Sequence, residues 1–156
     1  MKSRYLKHLF IAFVALASCS QTPEKQKQKS IAKKVDAILS QMTLAEKVGQ
    51  MTQVDMRLLD SPQDIHTFHI GSILSGGGAV PKTNTPKGWL EMVNGFQKIA
   101  LSDRLGIPLI YGIDAVHGHN NVLGATVFPH NLALGASNDA DLVYRVNKAT
   151  AIEVAA

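Results

Sequence analysis

Ile107-Pro-Leu-Ile-Tyr-Gly-Ile-Asp-Ala-Val-His-Gly-His-Asn-Asn121 is a short apolar run that ends on a carboxylate, Asp114, and opens into a loop with two histidines and two asparagines. A buried strand that stops on an acid and turns into a polar, Gly-containing loop is how a barrel or an open α/β sheet presents a site residue at its C-terminal face. Gly106 and Pro108 punctuate the chain just ahead of it, so the pattern places the strand over 109–113.

The flanking segments supply the rest of a repeating unit. Upstream, apolar residues at Trp89, Met92, Val93, Phe96 and Ile99 or Ala100 make one stripe of a helix over 89–101. Before it, Phe68 to Ser75 reads as a strand running into Gly76-Gly-Gly78. Thr43-Leu-Ala-Glu46 is a capping box that opens a helix with Leu44, Val48 and Met51 on one face. Ile31, Val35, Ile38 and Leu39 recur at helical spacing and start the folded part. Downstream, Asn131 to Ala136 reads as another short strand, and Asn138 and Asp139 can cap a last helix carrying Leu142, Val146, Ala149, Ile152 and Glu153. Strands alternating with helices imply parallel βα units, so the fold class is α/β, a partial (β/α)8 TIM-type barrel. A complete barrel takes roughly 250 residues, of which this sequence supplies about a quarter to a third. The sequence stops at Ala156 inside an apparent helix, and the chain is expected to be a fragment.

The net charge of +4 over 156 residues is unevenly distributed. Residues 1–34 hold eight Lys/Arg against one acid, Glu24; residues 35–156 hold eight bases against eleven acids, a net −3. The remainder has no basic stripe and few aromatics, which argues against nucleic acid as a partner. The basic N-terminus reads instead as a targeting segment. Lys2, Arg4 and Lys7 precede the apolar run from Leu9 to Ala17, which is too short to be a comfortable permanent span. Leu16-Ala-Ser-Cys19 resembles the lipobox of bacterial lipoproteins, and Cys19 is the chain's one cysteine. The expected organisation is a signal peptide over 1–18, lipidation at Cys19 and a flexible tether over 19–30, whose Lys/Gln-rich composition cannot bury enough surface to order itself. With that thiol modified no disulfide forms within the chain.

Three segments are candidates for chemistry. Gly76 to Gly78 lacks the Gly-Lys-Ser/Thr of a P-loop and the spacing of a dinucleotide fingerprint, which favours a plain turn over a phosphate cradle. His117 and His119 have the i, i+2 spacing that puts two imidazoles on one face of an extended segment, as in metal-dependent barrel hydrolases of the amidohydrolase kind. No further ligand set accompanies them, and supporting hydrogen bonds are the commoner role, so no metal is expected. Asp114 is the sharpest candidate. Its carboxylate can accept two hydrogen bonds at once, and neighbouring hydroxyls of a sugar offer that donor pair; pairing with a loop amide or with His117 is the structural alternative.

Five stretches together carry a resemblance: Met42 to Gln53 (MTLAEKVGQMTQ), Ile70 to Gly78 (IGSILSGGG), Asn94 to Gln97 (NGFQ), Arg104 to Gly118 (RLGIPLIYGIDAVHG) and Phe128 to Asn131 (FPHN). In this order and spacing, from about Val35 to Ala156, the chain resembles the N-terminal part of glycoside hydrolase family 3, the family of β-glucosidases and exo-β-glucanases. The resemblance implies that residues 31–156 are the first βα units of a (β/α)8-type barrel. It implies a retaining hydrolase of terminal non-reducing β-D-glucosyl residues, acting on β-linked gluco-oligosaccharides or glucosides without a cofactor. In the family, the position of Asp114 binds hydroxyls of the sugar in subsite −1. The resemblance places the nucleophile, the Lys-His pair, the sugar-binding Arg and the acid/base beyond Ala156, so no residue here is expected to be catalytic. A retaining site needs two carboxylates about 5–5.5 Å apart across one sugar, and the chain is expected to be inactive alone. Two readings of other classes stand beside this one: a metal-dependent barrel hydrolase using His117 and His119, and a non-catalytic sugar-binding surface lipoprotein.

Overall fold

Three short strands, β1 (Gln53–Asp55), β2 (Ser72–Ser75) and β3 (Ile110–Ile113), form a parallel sheet in chain order. The computed structural model describes residues 22–156. Val54 pairs with Ile73 and Ile73 with Tyr111, so β2 is hydrogen-bonded on both sides. Parallel neighbours need a crossover. A 3-10 turn (Met56–Leu58) and a short helix lead from β1 to β2, and a long helix leads from β2 to β3. The structure therefore has the predicted α/β class, with consecutive strands adjacent as in the wall of a (β/α)8 barrel.

Residues 22–41 and 42–156 are separate compact units. The first consists of helix α1 (Pro23–Leu39), none of whose residues is buried. It begins well ahead of Ile31 and takes in residues 23–30 of the expected tether. Pro23 suits a first helical turn, the Lys, Gln and Glu that follow are good helix formers, and Gln28 donates to Glu24 one turn back. Cys19 and the signal segment lie outside the described residues.

In the second unit, helix α2 (Leu44–Gln50) begins on the predicted capping box. Thr43 Oγ1 accepts from the Glu46 amide at 3.2 Å, and the Thr43 amide donates to Glu46 Oε2 at 2.7 Å. Its predicted apolar stripe is exposed, with Leu44, Val48 and Met51 all on the surface, and the buried positions are Glu46 and Gly49. Glu46 is buried because it is paired. Arg104 grips both of its oxygens, at 3.1 and 2.7 Å, tying α2 to the turn before β3.

Helix α3 (Asp64–Thr67) ends in a Schellman-type closure. His69 takes a positive φ of 54°, its amide donates to the His66 carbonyl, and the Ile70 amide reaches back to Ile65. The predicted strand from Phe68 therefore starts only at Ser72. His69 Nδ1 lies 2.6 Å from Asp103 Oδ2, which anchors the strained turn. Helix α4 (Pro86–Leu101) buries Trp89, Phe96 and Ala100 from its predicted stripe. Its Gln97 side-chain amide brackets Leu109, donating to the carbonyl at 2.6 Å and accepting from the amide at 3.0 Å, and so sets where β3 starts. Ile65, Ile70, Ile73, Phe96, Ala100 and Leu109 form the buried cluster between sheet and helices.

Residues Asn131–Ala136 form helix α5, a correction to the strand expected there. His130 caps it, its Nδ1 accepting from the Leu132 amide, and Leu and Ala are strong helix formers. The last helix, α6 (Ala140–Ala155), is capped as predicted by Asp139, which accepts from the Leu142 amide at 2.9 Å. No helix among the described residues is long and apolar enough to cross a membrane.

Candidate functional site

Because the strands are parallel, their C-terminal ends share one edge of the sheet. Asp55 ends β1, Ser75 ends β2 and hands over to Gly76, and Asp114 follows the last residue of β3. Asp114 extends the β2–β3 ladder by one step, its amide donating to the Ser75 carbonyl at 3.0 Å. Its carbonyl accepts from Asn121 Nδ2 at 2.7 Å. The peptide is thus held on both sides while the residue itself is exposed. Its carboxylate has no hydrogen-bond or ion-pair partner among the described residues. The predicted alternative, pairing with a loop amide or with His117, does not occur.

The glycine loop starts against the backbone and Cβ of Asp114. Gly76 has φ 122°, and a Cβ added there would lie 2.7 Å from the Asp114 Cβ. Gly77 and Gly78 have open space where side chains would be. Arg57 reaches toward the Gly77 carbonyl at 3.5 Å. It is held by Asp55 through contacts of 2.6 and 3.0 Å, and the Asp55 carboxylate also accepts from the Arg57 amide. The guanidinium and that amide hold the Asp55 carboxyl down to about 2. The edge therefore presents a carboxyl group on a pinned backbone, a glycine turn without side chains and an internally compensated ion pair.

His117 and His119 diverge. Gly118 between them has φ 71°, which breaks the extended geometry that would put both rings on one face. Gly118 is required there, because a Cβ would meet the Thr126 carbonyl and the Phe128 ring. His117 Nδ1 lies 3.1 Å from the Phe128 carbonyl, and its ring stands edge-on to His130. His119 is buried against the edge of Trp89, and its Nδ1 has no partner among the described residues. Burial pushes its pKa down, against an opposing pull from Glu153. Among the described residues no group of three His, Cys, Asp or Glu side chains converges as a metal site would require.

Asn84, Asn121 and Glu153 escape the sequence reading as site residues. Asn84 joins the loop after β2 to the loop after β3, and Glu153 accepts from the Thr126 amide and hydroxyl. These links span 37 and 27 residues, and no local pattern marks them.

The sequence profile described as Glycosyl hydrolase family 3 N terminal domain matches residues 43–156. The chain is 42% identical over 121 residues to the lysosomal beta glucosidase of Dictyostelium discoideum, covering 66% of this chain and 15% of that one. It is 36% identical over 123 residues to the periplasmic beta-glucosidase of Salmonella typhimurium, covering 78% of this chain and 14% of that one. In three dimensions it is similar to the crystal structure of an exo-1,3/1,4-beta-glucanase from a Pseudoalteromonas species. The TM-score is 0.73 at 38% identity, over 81% of this chain and 16% of that one. The chain spans 14% to 20% of the length of the curated relatives it matches.

Proposed function

The chain belongs to glycosyl hydrolase family 3 through the N-terminal domain of that family, and from this premise we propose that it forms the opening βα units of a retaining β-glucosidase-type hydrolase. The reaction is removal of terminal non-reducing β-D-glucosyl residues from gluco-oligosaccharides or glucosides. The observation that carries the reading is Asp114, an exposed carboxylate without a protein partner among the described residues, fixed by its backbone at the end of β3 and flanked by Gly76.

Asp114 holds the sugar and does not attack it. An ionised carboxylate accepts two hydroxyl hydrogen bonds, and charge-assisted bonds of this kind are roughly twice as strong as neutral ones. The glycine wall lets a pyranose ring approach without meeting a side chain. Retaining chemistry needs a nucleophile and an acid/base about 5–5.5 Å apart. No residue among 1–156 is assigned either role: Asp139 caps α6 and Asp141 pairs with Arg145. The similar proteins named as β-glucosidases and an exo-β-glucanase support this substrate class.

The proposal includes export, with signal cleavage before Cys19, lipidation of its thiol and attachment to a membrane through residues 19–30. The similar protein named as periplasmic supports the export half. Labelling with an alkyne fatty acid, lost in Cys19→Ser, tests the anchor.

Glucose titration of the chain, followed by NMR, tests the site. Saturable shifts around residues 76–78 and 114–121 that vanish in Asp114→Ala are expected, and equal binding by the variant would sink the reading. The 156-residue chain alone is expected to release no aglycone from an aryl β-glucoside.

A further inference from the structure

A chain of hydrogen bonds runs from the buried side of helix α4 to the backbone of Asp114. Trp89, buried in the first turn of α4, donates its indole N–H to Asn84 Oδ1 at 2.7 Å. The same oxygen accepts from the Leu123 amide at 3.3 Å. Asn84 Nδ2 donates to the Asn121 carbonyl at 2.9 Å, and Asn121 Nδ2 donates to the Asp114 carbonyl at 2.7 Å. One half-buried amide side chain, reaching from the loop after β2, thereby fixes the loop after β3 at two points.

We infer that Asn84 is a positioning residue for Asp114, acting through Asn121. The inference rests on the reading of Asp114 as the sugar-holding carboxylate. The Asp114 amide is set by Ser75 and its carbonyl by Asn121, so the Cα–Cβ direction is fixed and only side-chain rotation remains. A loop after a strand is otherwise the most mobile part of such a fold. A binding group must be held within about 0.5 Å of its productive place, which its supporting shell decides. Asn84 carries the donors and acceptors that such a link requires. Its oxygen has two lone pairs for Trp89 and Leu123, and its amide group supplies the donor to Asn121. Aspartate at this position keeps the acceptor for Trp89 and Leu123 and opposes a carboxylate oxygen to the Asn121 carbonyl, and so breaks the link to Asn121.

The test uses the full chain and its Asn84→Asp, Asn121→Ala and Asp114→Ala variants. The carbonyl 13C shift of Asp114, the urea midpoint and the glucose dissociation constant are measured for each. In Asn84→Asp and Asn121→Ala the Asp114 carbonyl shift is expected to move upfield, as for a carbonyl losing a donor. Glucose affinity is expected to fall by up to about a hundredfold, the scale of a group misplaced by about 1 Å, with the Asn121→Ala midpoint near that of the parent. An unchanged carbonyl shift in both variants overturns the relay, whether or not sugar binds. Affinity lost in Asp114→Ala but kept in both asparagine variants overturns the positioning role alone. Affinity unchanged in Asp114→Ala overturns the sugar-holding reading itself. Asn121→Ala removes only a side chain at a partly exposed loop position, so it remains informative if Asn84→Asp folds poorly.

Discussion

Gly76 and Asp114 are packed so closely that a single methyl group at position 76 would sit 2.7 Å from the Asp114 Cβ. The glycine is also at φ 122°, a conformation that side chains with a Cβ rarely adopt. Two independent constraints therefore require glycine beside Asp114.

Gly76→Ala is accordingly expected to destabilise the chain by roughly 1–3 kcal/mol from backbone strain. It should also displace Asp114, weakening glucose binding beyond what the stability loss explains. Gly77→Ala meets no neighbour and bears only the strain of the positive φ. Urea unfolding and glucose titration of both variants check this; equal losses at the two positions would show that contact with Asp114 is irrelevant.

What is legible in the sequence is what local chemistry decides. The Thr43–Glu46 box and the Asp139 cap are written within about one helical turn, and the α4 stripe repeats along one helix face. The Asn131–Ala136 helix escapes the sequence pattern because a short apolar run has no period of its own, and its cap, His130, is an uncommon one. The delayed start of β2 depends on a left-handed His69 held by Asp103, a contact spanning 34 residues. Asp114 is visible as a strand-end acid, but its free carboxylate is not. That freedom follows from where His117 and Asn121 turn, and Gly118 sets the turn.

The Glu46–Arg104 pair gives a signed pH dependence. The Arg104 guanidinium, with help from the Thr43 amide, holds the Glu46 carboxyl down from 4.5 to about 2. A carboxyl with a depressed folded-state pKa stabilises above its unfolded value, and that stability is lost as protons bind on the way down. Thermal midpoints should therefore fall as pH drops from 4.5 toward about 2, and Glu46→Gln should flatten part of the slope while lowering the plateau at neutral pH. Asp55 titrates over a similar window and leaves a residual slope. An unaltered profile in Glu46→Gln would remove the pair as its cause.

Ile73 is fully buried at the centre of β2, between Val54 and Tyr111 across the ladder. Truncation there removes transfer free energy and leaves a cavity that the paired strands cannot close. Ile73→Ala should cost about 2–5 kcal/mol and Ile73→Val about 0.5–1.5 kcal/mol, read from urea midpoints at constant m-value. A cost below the lower bound for alanine would mean that the sheet collapses around the cavity.

His119 supplies the most local of the expectations. Burial against Trp89 disfavours its imidazolium, so its pKa lies below the ordinary 6.5, while Glu153 pulls the other way. A depressed folded-state pKa means that the stabilising contribution of neutral His119 is present above 6.5 and lost as pH falls through the folded value. Glu153→Gln removes that opposing influence on the ring and should lower the His119 midpoint further, while the glutamine oxygen still accepts from Thr126. Imidazole 1H–13C spectra recorded from about pH 8 to about pH 4, a range that brackets the ordinary histidine value, follow the titration directly. A His119 midpoint at or above 6.5 would mean that burial does not govern this ring, and an upward move in Glu153→Gln would mean that Glu153 is not the opposing pull.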